Sequence, residues 1–337
     1  MVLTEHIGAL RKELTSAGVF KTKTLRTTAK FTFLVGVTCG LAVAAFNLPL
    51  AWTFLLAPLA SIFAIPAGMI GHEANHRGFS NKLAVNKLMA HVAYPLFSGL
   101  GILHWHEKHN IRHHSQPNVL GHDHDLKLWP IAITHEEHLR SSAIGRWFQR
   151  NLQGYLFWPM TFFVVACLRY DSRRVLLRNL RRDGLSLAWL ADAGCQVGHL
   201  LLWIGVPAIF VGLGHALIFY FTLWTVAGLF LGMILAPGHM GMPLVTEQTR
   251  GWYHQLKTSR DMRIPRWLSY FFIGLEYQIE HHLFPKVPHQ LLPKAKEIVR
   301  RWCLKHGYPH QDVGFGAALS STTRFIANAW KLKPAQR

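Results

Sequence analysis

Hydrophobic positions fall into two long uninterrupted blocks. Phe31 to Gly71 and Ala193 to Thr246 contain no Asp, Glu, Lys or Arg. A membrane-spanning helix takes about 20 mostly apolar residues, so each block is long enough for two spans and a tight turn. Asn47-Leu-Pro-Leu50 and Gly212-Leu-Gly214 supply turn residues inside the blocks. The pattern predicts an all-α integral membrane protein with four transmembrane helices, near 31–48, 51–70, 190–211 and 215–236, arranged as two hairpins. Two shorter apolar runs, Leu88 to Leu103 and Gly154 to Leu168, are too short to cross and are expected to lie in or dip into the interface. Residues 1–30 then form a cytoplasmic N-terminal segment, 31–290 the membrane domain, and 291–337 a cytoplasmic C-terminal tail.

Charge sets the orientation. The chain of 337 residues carries 36 Lys plus Arg against 17 Asp plus Glu, a formal charge of +19, yet half of it is apolar. That pairing argues against an acidic disordered chain and against a soluble nucleic-acid binder. Residues 139 to 182 hold nine arginines and one aspartate, the first 30 residues and the segment after 246 are also basic, and neither hairpin tip is charged. Positive-inside bias places all three basic segments on the cytoplasmic face, where anionic headgroups are their expected neighbours. The first 30 residues lack the apolar core of a cleavable signal peptide. The four cysteines, Cys39, Cys167, Cys195 and Cys303, are scattered and form neither a disulfide framework nor a CxxC zinc pattern.

Histidine is the outlier, with 22 residues, 12 of them between His72 and His138. Three clusters have helical spacing. His72-Glu73-Ala74-Asn75-His76 places imidazoles at i and i+4, His109-Asn110-Ile111-Arg112-His113-His114 repeats the pair and adds a neighbour, and Gln278-Ile279-Glu280-His281-His282 offers side chains at i, i+3 and i+4. On a helix, i and i+4 share a face with Cβ atoms about 5–6 Å apart, which suits joint ligation of a metal. The topology puts all three at the cytoplasmic edge, so a helical cytoplasmic cap carrying them is expected. Ten other histidines, His6, His91, His135, His138, His199, His215, His254, His289, His306 and His310, are expected to be ordinary hydrogen-bonded core or interfacial residues. His104, His106, His122 and His124 stand evenly between outer support and surface. Asp123 and Asp125 are placed to accept the free N–H of a ligating ring, Asp125 being the better candidate. A catalytic zinc uses about three protein ligands, so seven imidazoles oversupply one ion and imply two metals. Imidazole suits iron, copper, nickel and zinc alike, which leaves the element open.

His72 to His76 also reads as HExxH, the pattern of zinc proteases with Glu73 as general base, but that reading leaves the other two clusters unexplained. A non-enzymatic metal carrier would line an intramembrane path with ionisable groups, whereas only His199 and His215 fall within spans.

The three clusters together resemble the histidine boxes HxxxH, HxxxHH and QxxHH of the membrane-bound fatty acid desaturase superfamily. Gln278-Ile-Glu-His-His-Leu-Phe-Pro285, with Trp252-Tyr-His-Gln255 upstream, is similar to its acyl-lipid, front-end and linoleoyl-coenzyme-A-type branch. The resemblance spans roughly 30 to 290. It implies a fatty acid desaturase that introduces a cis double bond into an acyl chain with two non-haem iron ions, dioxygen and two electrons. It implies His72, His76, His109, His113, His114, His281 and His282 as metal ligands; Gln278 of the third box and, by its position, Asp125 are expected beside the cofactor. The superfamily also hosts lipid hydroxylases and other lipid oxygenases. No HPGG motif of a fused haem domain occurs, so the electron donor is expected to be a separate ferredoxin or b-type cytochrome. The partners implied are an acyl-lipid or acyl-CoA substrate, that donor and membrane lipids, without nucleic acid. No retention signal is read in the tail, and a bacterial cytoplasmic membrane is expected. Relatives with HxxHH have histidine where this chain has Gln278, so an eighth ligand is wanted. His239 is expected to be it, because it follows the fourth span as His72 follows the second, and Pro237 and Gly238 end the helix just before it.

Overall fold

The computed structural model describes residues 2–247 and 251–333, with side chains from His6 onward. Residues 334–337 of the expected tail lie outside the described residues. The chain is mostly helical, and four helices are long and apolar enough to cross a membrane: Thr24–Asn47, Leu50–Asn75, Leu187–Val211 and Leu213–Gly238. The first begins before the uncharged block does, taking Arg26 and Lys30 into its opening turns. Long cationic side chains allow this, since their stems pack on apolar surroundings while the charge stays wet. The second runs on past its apolar stretch to Asn75, which keeps His72 on a helix and makes His76 its cap. The expectation of an entirely α-helical chain needs one amendment. Asp261–Arg263 and Asp312–Gly314 form a short parallel ladder, each strand too short to leave an alternating pattern in the sequence.

Residues 22–107 and 161–232 form one compact unit. Within it Thr24–Asn47 packs along Thr53–Asn75, and the starts of the second and fourth spans meet where Thr53 Oγ1 and His215 Nε2 lie 2.8 Å apart. The third span meets the fourth through His199, whose Nε2 is 3.0 Å from the Tyr220 hydroxyl, and through Trp203 against Trp224. His199 is therefore a satisfied core histidine, as expected. The apolar run after Leu88 is helical and largely buried. It continues Leu83–His91 into a π-helical turn, Val92–Ser98, whose Ala93, Tyr94, Phe97 and Ser98 are buried against the Leu187–Leu200 helix. Gly99 closes that turn at φ 70°, and a Cβ there would meet the Arg169 and His199 side chains at 2.8 Å. Only glycine fits both constraints.

The described residues within 1–21, 108–160 and 233–337 form the other unit. Its core packs Leu10 and Leu14 of the N-terminal helix Val2–Ser16 with Ile298, Val299 and Trp302 of the Leu292–His306 helix and with Leu256 and Ile279. A second cluster joins Ile131, Ile133, Phe157, Met240 and Ile326. The first of these cores includes Ile279 of the third histidine box.

Candidate metal centre

The second box does not lie on an ordinary α-helix. His106–His113 is π-helical, so side chains five apart, and not only four apart, share a face. His109 Nε2 accordingly lies 3.1 Å from His114 Nε2. His281 Nε2, from the helix Gln278–Leu283, comes to 3.1 Å of the same His114 atom. Three imidazole nitrogens thus converge, all within 4.8 Å of one another.

A second group forms beside it. One ligating atom from each of His113, His239 and His282 lies within 4.8 Å of the others, and their ring centroids are 4.5–5.0 Å apart. Each ring is held by its Nδ1. That of His113 lies 3.1 Å from Asp123 Oδ2 and 3.2 Å from Asp125 Oδ2. That of His239 donates to the Thr258 carbonyl at 3.0 Å, and that of His282 to Gln255 Oε1 at 2.9 Å. Tying Nδ1 to an acceptor leaves Nε2 as the bare nitrogen, the arrangement by which outer groups aim a metal-binding imidazole. His239 Nε2 is buried and has no hydrogen-bond partner among the described residues. A buried acceptor left so is costly, and a cation satisfies it. Burial, with His113 beside it, pushes the His239 ring down to about 4, so the lone pair is free at neutral pH. Burial would lower His113 as well, but Asp123 and Asp125 together outweigh it and raise that ring. The donor set fits metal ions that favour imidazole.

In the other unit His72 and His76 sit a turn apart, ring centroids 4.6 Å from each other, and both are buried. His104 is also buried there, its Nδ1 3.3 Å from Ser172 Oγ, while His106 is exposed. Gln278 is buried, packed on the fourth span's end. A Cβ on Gly238 would stand 2.5 Å from Gln278 Cγ, so the turn leading into His239 requires glycine. Of the two carboxylates on His113, Asp123 is the deeper, with its side chain 1% exposed against 32% for Asp125. Asp125 also pairs with Lys108.

Two supporting residues escaped the sequence reading. Gln255, read there only as part of a branch motif, donates from Nε2 to the His114 carbonyl at 2.8 Å while accepting from His282. It ties the second box to the third. Asn118, at φ 58°, donates its amide to the His239 carbonyl and its backbone N–H to Asp123. Neither has a spacing signal, because their side chains reach the histidine segments across more than 20 residues. Replacing Gln255 by Leu keeps the volume and removes both bonds. Metal affinity is expected to fall about 10- to 100-fold, as losses of such outer contacts do, measured by competition with a chelator.

Within the unit of residues 22–107 and 161–232, a narrow apolar cavity is lined by Ile65, Met69, Leu100, Val165, Trp224 and Leu231 among others. Ile65, Met69 and His72 follow one another at helical spacing on Thr53–Asn75, with His76 at its cap, and so form one stripe. The cavity wall therefore leads along the helix to the first box. Trp224 is pinned from behind by Arg169, whose guanidinium carbon lies 4.3 Å from its ring centre.

Spans, boxes and buried histidines define a helical membrane protein with a histidine-built candidate metal centre. Comparison with known sequences makes the class specific: residues 25–314 match the model of the family described as fatty acid desaturase, and the chain belongs to that family. It is 28% identical to an acyl-lipid (8-3)-desaturase of Rebecca salina, over 77% of this chain and 60% of that protein. It is 28% identical to an acyl-lipid (9-3)-desaturase of Borago officinalis, over 78% of this chain and 61% of that protein. A Delta(8)-fatty-acid desaturase of Euglena gracilis is 26% identical over 91% of this chain and 74% of its own length. The chain thus spans about six-tenths of the length of the first two relatives.

Proposed function

We propose that this protein is a membrane fatty acid desaturase that introduces a cis double bond into an acyl chain. The observation that carries the reading is the pair of converging histidine groups, His109, His114 and His281 on one side and His113, His239 and His282 on the other. Seven box imidazoles plus His239 are enough for two ions. His72 and His76 complete the set in this proposal, supported by their spacing and by membership of the family. Two bound iron ions would supply, with dioxygen and two external electrons, the oxidising power that no acid, base or nucleophile has toward an unactivated C–H bond.

The chain's own residues position the substrate. The small apolar cavity beside Ile65 and Met69 marks where we place the acyl chain, along the helical stripe that ends at the first box. We place the boxes on the cytoplasmic side from the positive-inside bias, with the spans paired as two hairpins beneath a cap. The electron donor is proposed as a separate ferredoxin or b-type cytochrome, and the substrate as an acyl-lipid or acyl-CoA, acyl-lipid being the carrier named for two relatives. Those relatives are eukaryotic and lend a bacterial membrane no support, so the proposal is confined to an integral membrane location.

The deciding experiment is expression in cells without polyunsaturated lipids, followed by mass spectrometry to locate new double bonds. New hydroxyl groups in place of double bonds, or a single tightly bound zinc with no iron, would sink the desaturase reading. Leu231→Trp, which narrows the cavity, is expected to lower kcat/KM, and separately to cost about 1–3 kcal/mol of stability by overpacking, read from the unfolding midpoint. Activity unchanged across chain lengths would remove the cavity from the substrate path.

A further inference from the structure

Behind the third box lies a second buried polar cluster, separate from the metal-facing nitrogens. Glu280 stands between Gln278 and the two box histidines, is fully buried, and accepts from His310 Nε2 at 3.0 Å. Asp261, also fully buried, accepts from the Ile279 backbone N–H at 3.0 Å. Its other oxygen lies 3.3 Å from Lys296 Nζ, which also meets Asp312 at 3.1 Å. The parallel ladder pairs Asp261 with Asp312, and the Asp261 N–H donates to the Gln311 carbonyl at 2.8 Å. His310, Asp312 and Lys296 all come from beyond the box, on or after the Leu292–His306 helix.

Burying two carboxylates with a half-buried carboxylate, ammonium and imidazole around them contributes little net stability, because desolvation offsets the attraction. What such a cluster does provide is a fixed geometry, and here it is applied to a helix that needs one. Gln278–Leu283 is six residues long, too short to hold itself. Its two histidines diverge, His281 to the His109 and His114 group and His282 to the His113 and His239 group. Adjacent helical residues differ by about 100° in direction, so any rotation of this turn takes both rings off target. The cluster holds it at two points, the Ile279 N–H through Asp261 and the Glu280 carboxylate through His310.

We infer that His310 is a positioning residue: by holding Glu280 it fixes the rotation of the third-box helix, so that His281 and His282 reach their separate groups. The inference rests on the proposed metal role of those two histidines. The test compares the full chain with its His310→Ala, His310→Gln and Glu280→Leu variants in detergent, titrated with cobalt(II) against a chelator. The Ala and Leu variants are expected to insert but to bind cobalt about 10- to 100-fold more weakly, with a changed ligand-field spectrum. The Gln variant, whose amide still donates to Glu280, is expected to recover both affinity and spectrum. If the Ala variant fails to insert, Glu280→Leu decides the matter by the same two readouts. Wild-type affinity and spectrum in the Ala variant, or in Glu280→Leu, would overturn the inference alone. So would equal loss in Ala and Gln variants together with a third metal equivalent in the natural chain, which would make the cluster a cation site. A natural chain that takes up no metal at all would instead defeat the desaturase reading on which the inference stands.

Discussion

With His239 replaced by alanine, the purified protein is expected to hold about one iron where the natural chain holds about two, because the ion lost keeps only two of the roughly three protein ligands such a site needs. The warrant is the orphaned Nε2: a buried imidazole whose Nδ1 is committed to the Thr258 carbonyl has one nitrogen left, and it faces His113 and His282. Product formation should fall below detection, since the two-metal reading leaves no activity to a half-filled centre. Insertion into the membrane should be unchanged, because the substitution shortens a side chain and leaves the turn at Pro237 and Gly238 intact. Iron analysis of membrane-purified protein checks the first outcome and lipid profiling the second. Full iron content would show His239 to be a buried structural ring.

Asp123→Ala is expected to cost both metal and stability. The Asp123 carboxylate accepts from the backbone N–H groups of Asn118 and Asp125, each at 2.9 Å, and faces His113 Nδ1. Its removal strands buried donors in the loop that follows the second box. Breaking a buried hydrogen-bonded charge pair from one side costs about 3–5 kcal/mol, and the loss should appear as a lower unfolding midpoint of the metal-free protein. His113 would lose most of the tie that aims its Nε2, so iron affinity should drop in the same variant. Asp123→Asn keeps an acceptor and should fall between the two. A wild-type midpoint for the Ala variant would leave Asp125, the carboxylate favoured from sequence, as the true support of His113.

Much of this was legible in the chain because the signals are local. A span is written in about 20 consecutive residues, and the spans found at Thr24–Asn47, Leu50–Asn75, Leu187–Val211 and Leu213–Gly238 end or begin within about five residues of those expected, the first span's early start apart. The boxes, too, are contiguous, and even His239 could be singled out because a proline, a glycine and the end of a span adjoin it. What the tertiary structure alone decided is the division of the histidines. The neighbours His113 and His114 go to different groups, and so do His281 and His282, although spacing read them as common faces. The π-helical turn at His106–His113 makes five residues, not only four, the distance between partners, and no periodicity announced it. Gln255 and Asn118 act on rings brought from elsewhere in the chain, which spacing cannot show. Local sequence fixes which side chains leave one helix in the same direction. Which directions meet is settled only when separate segments pack, because that depends on the volumes and hydrogen bonds of residues far apart in the chain.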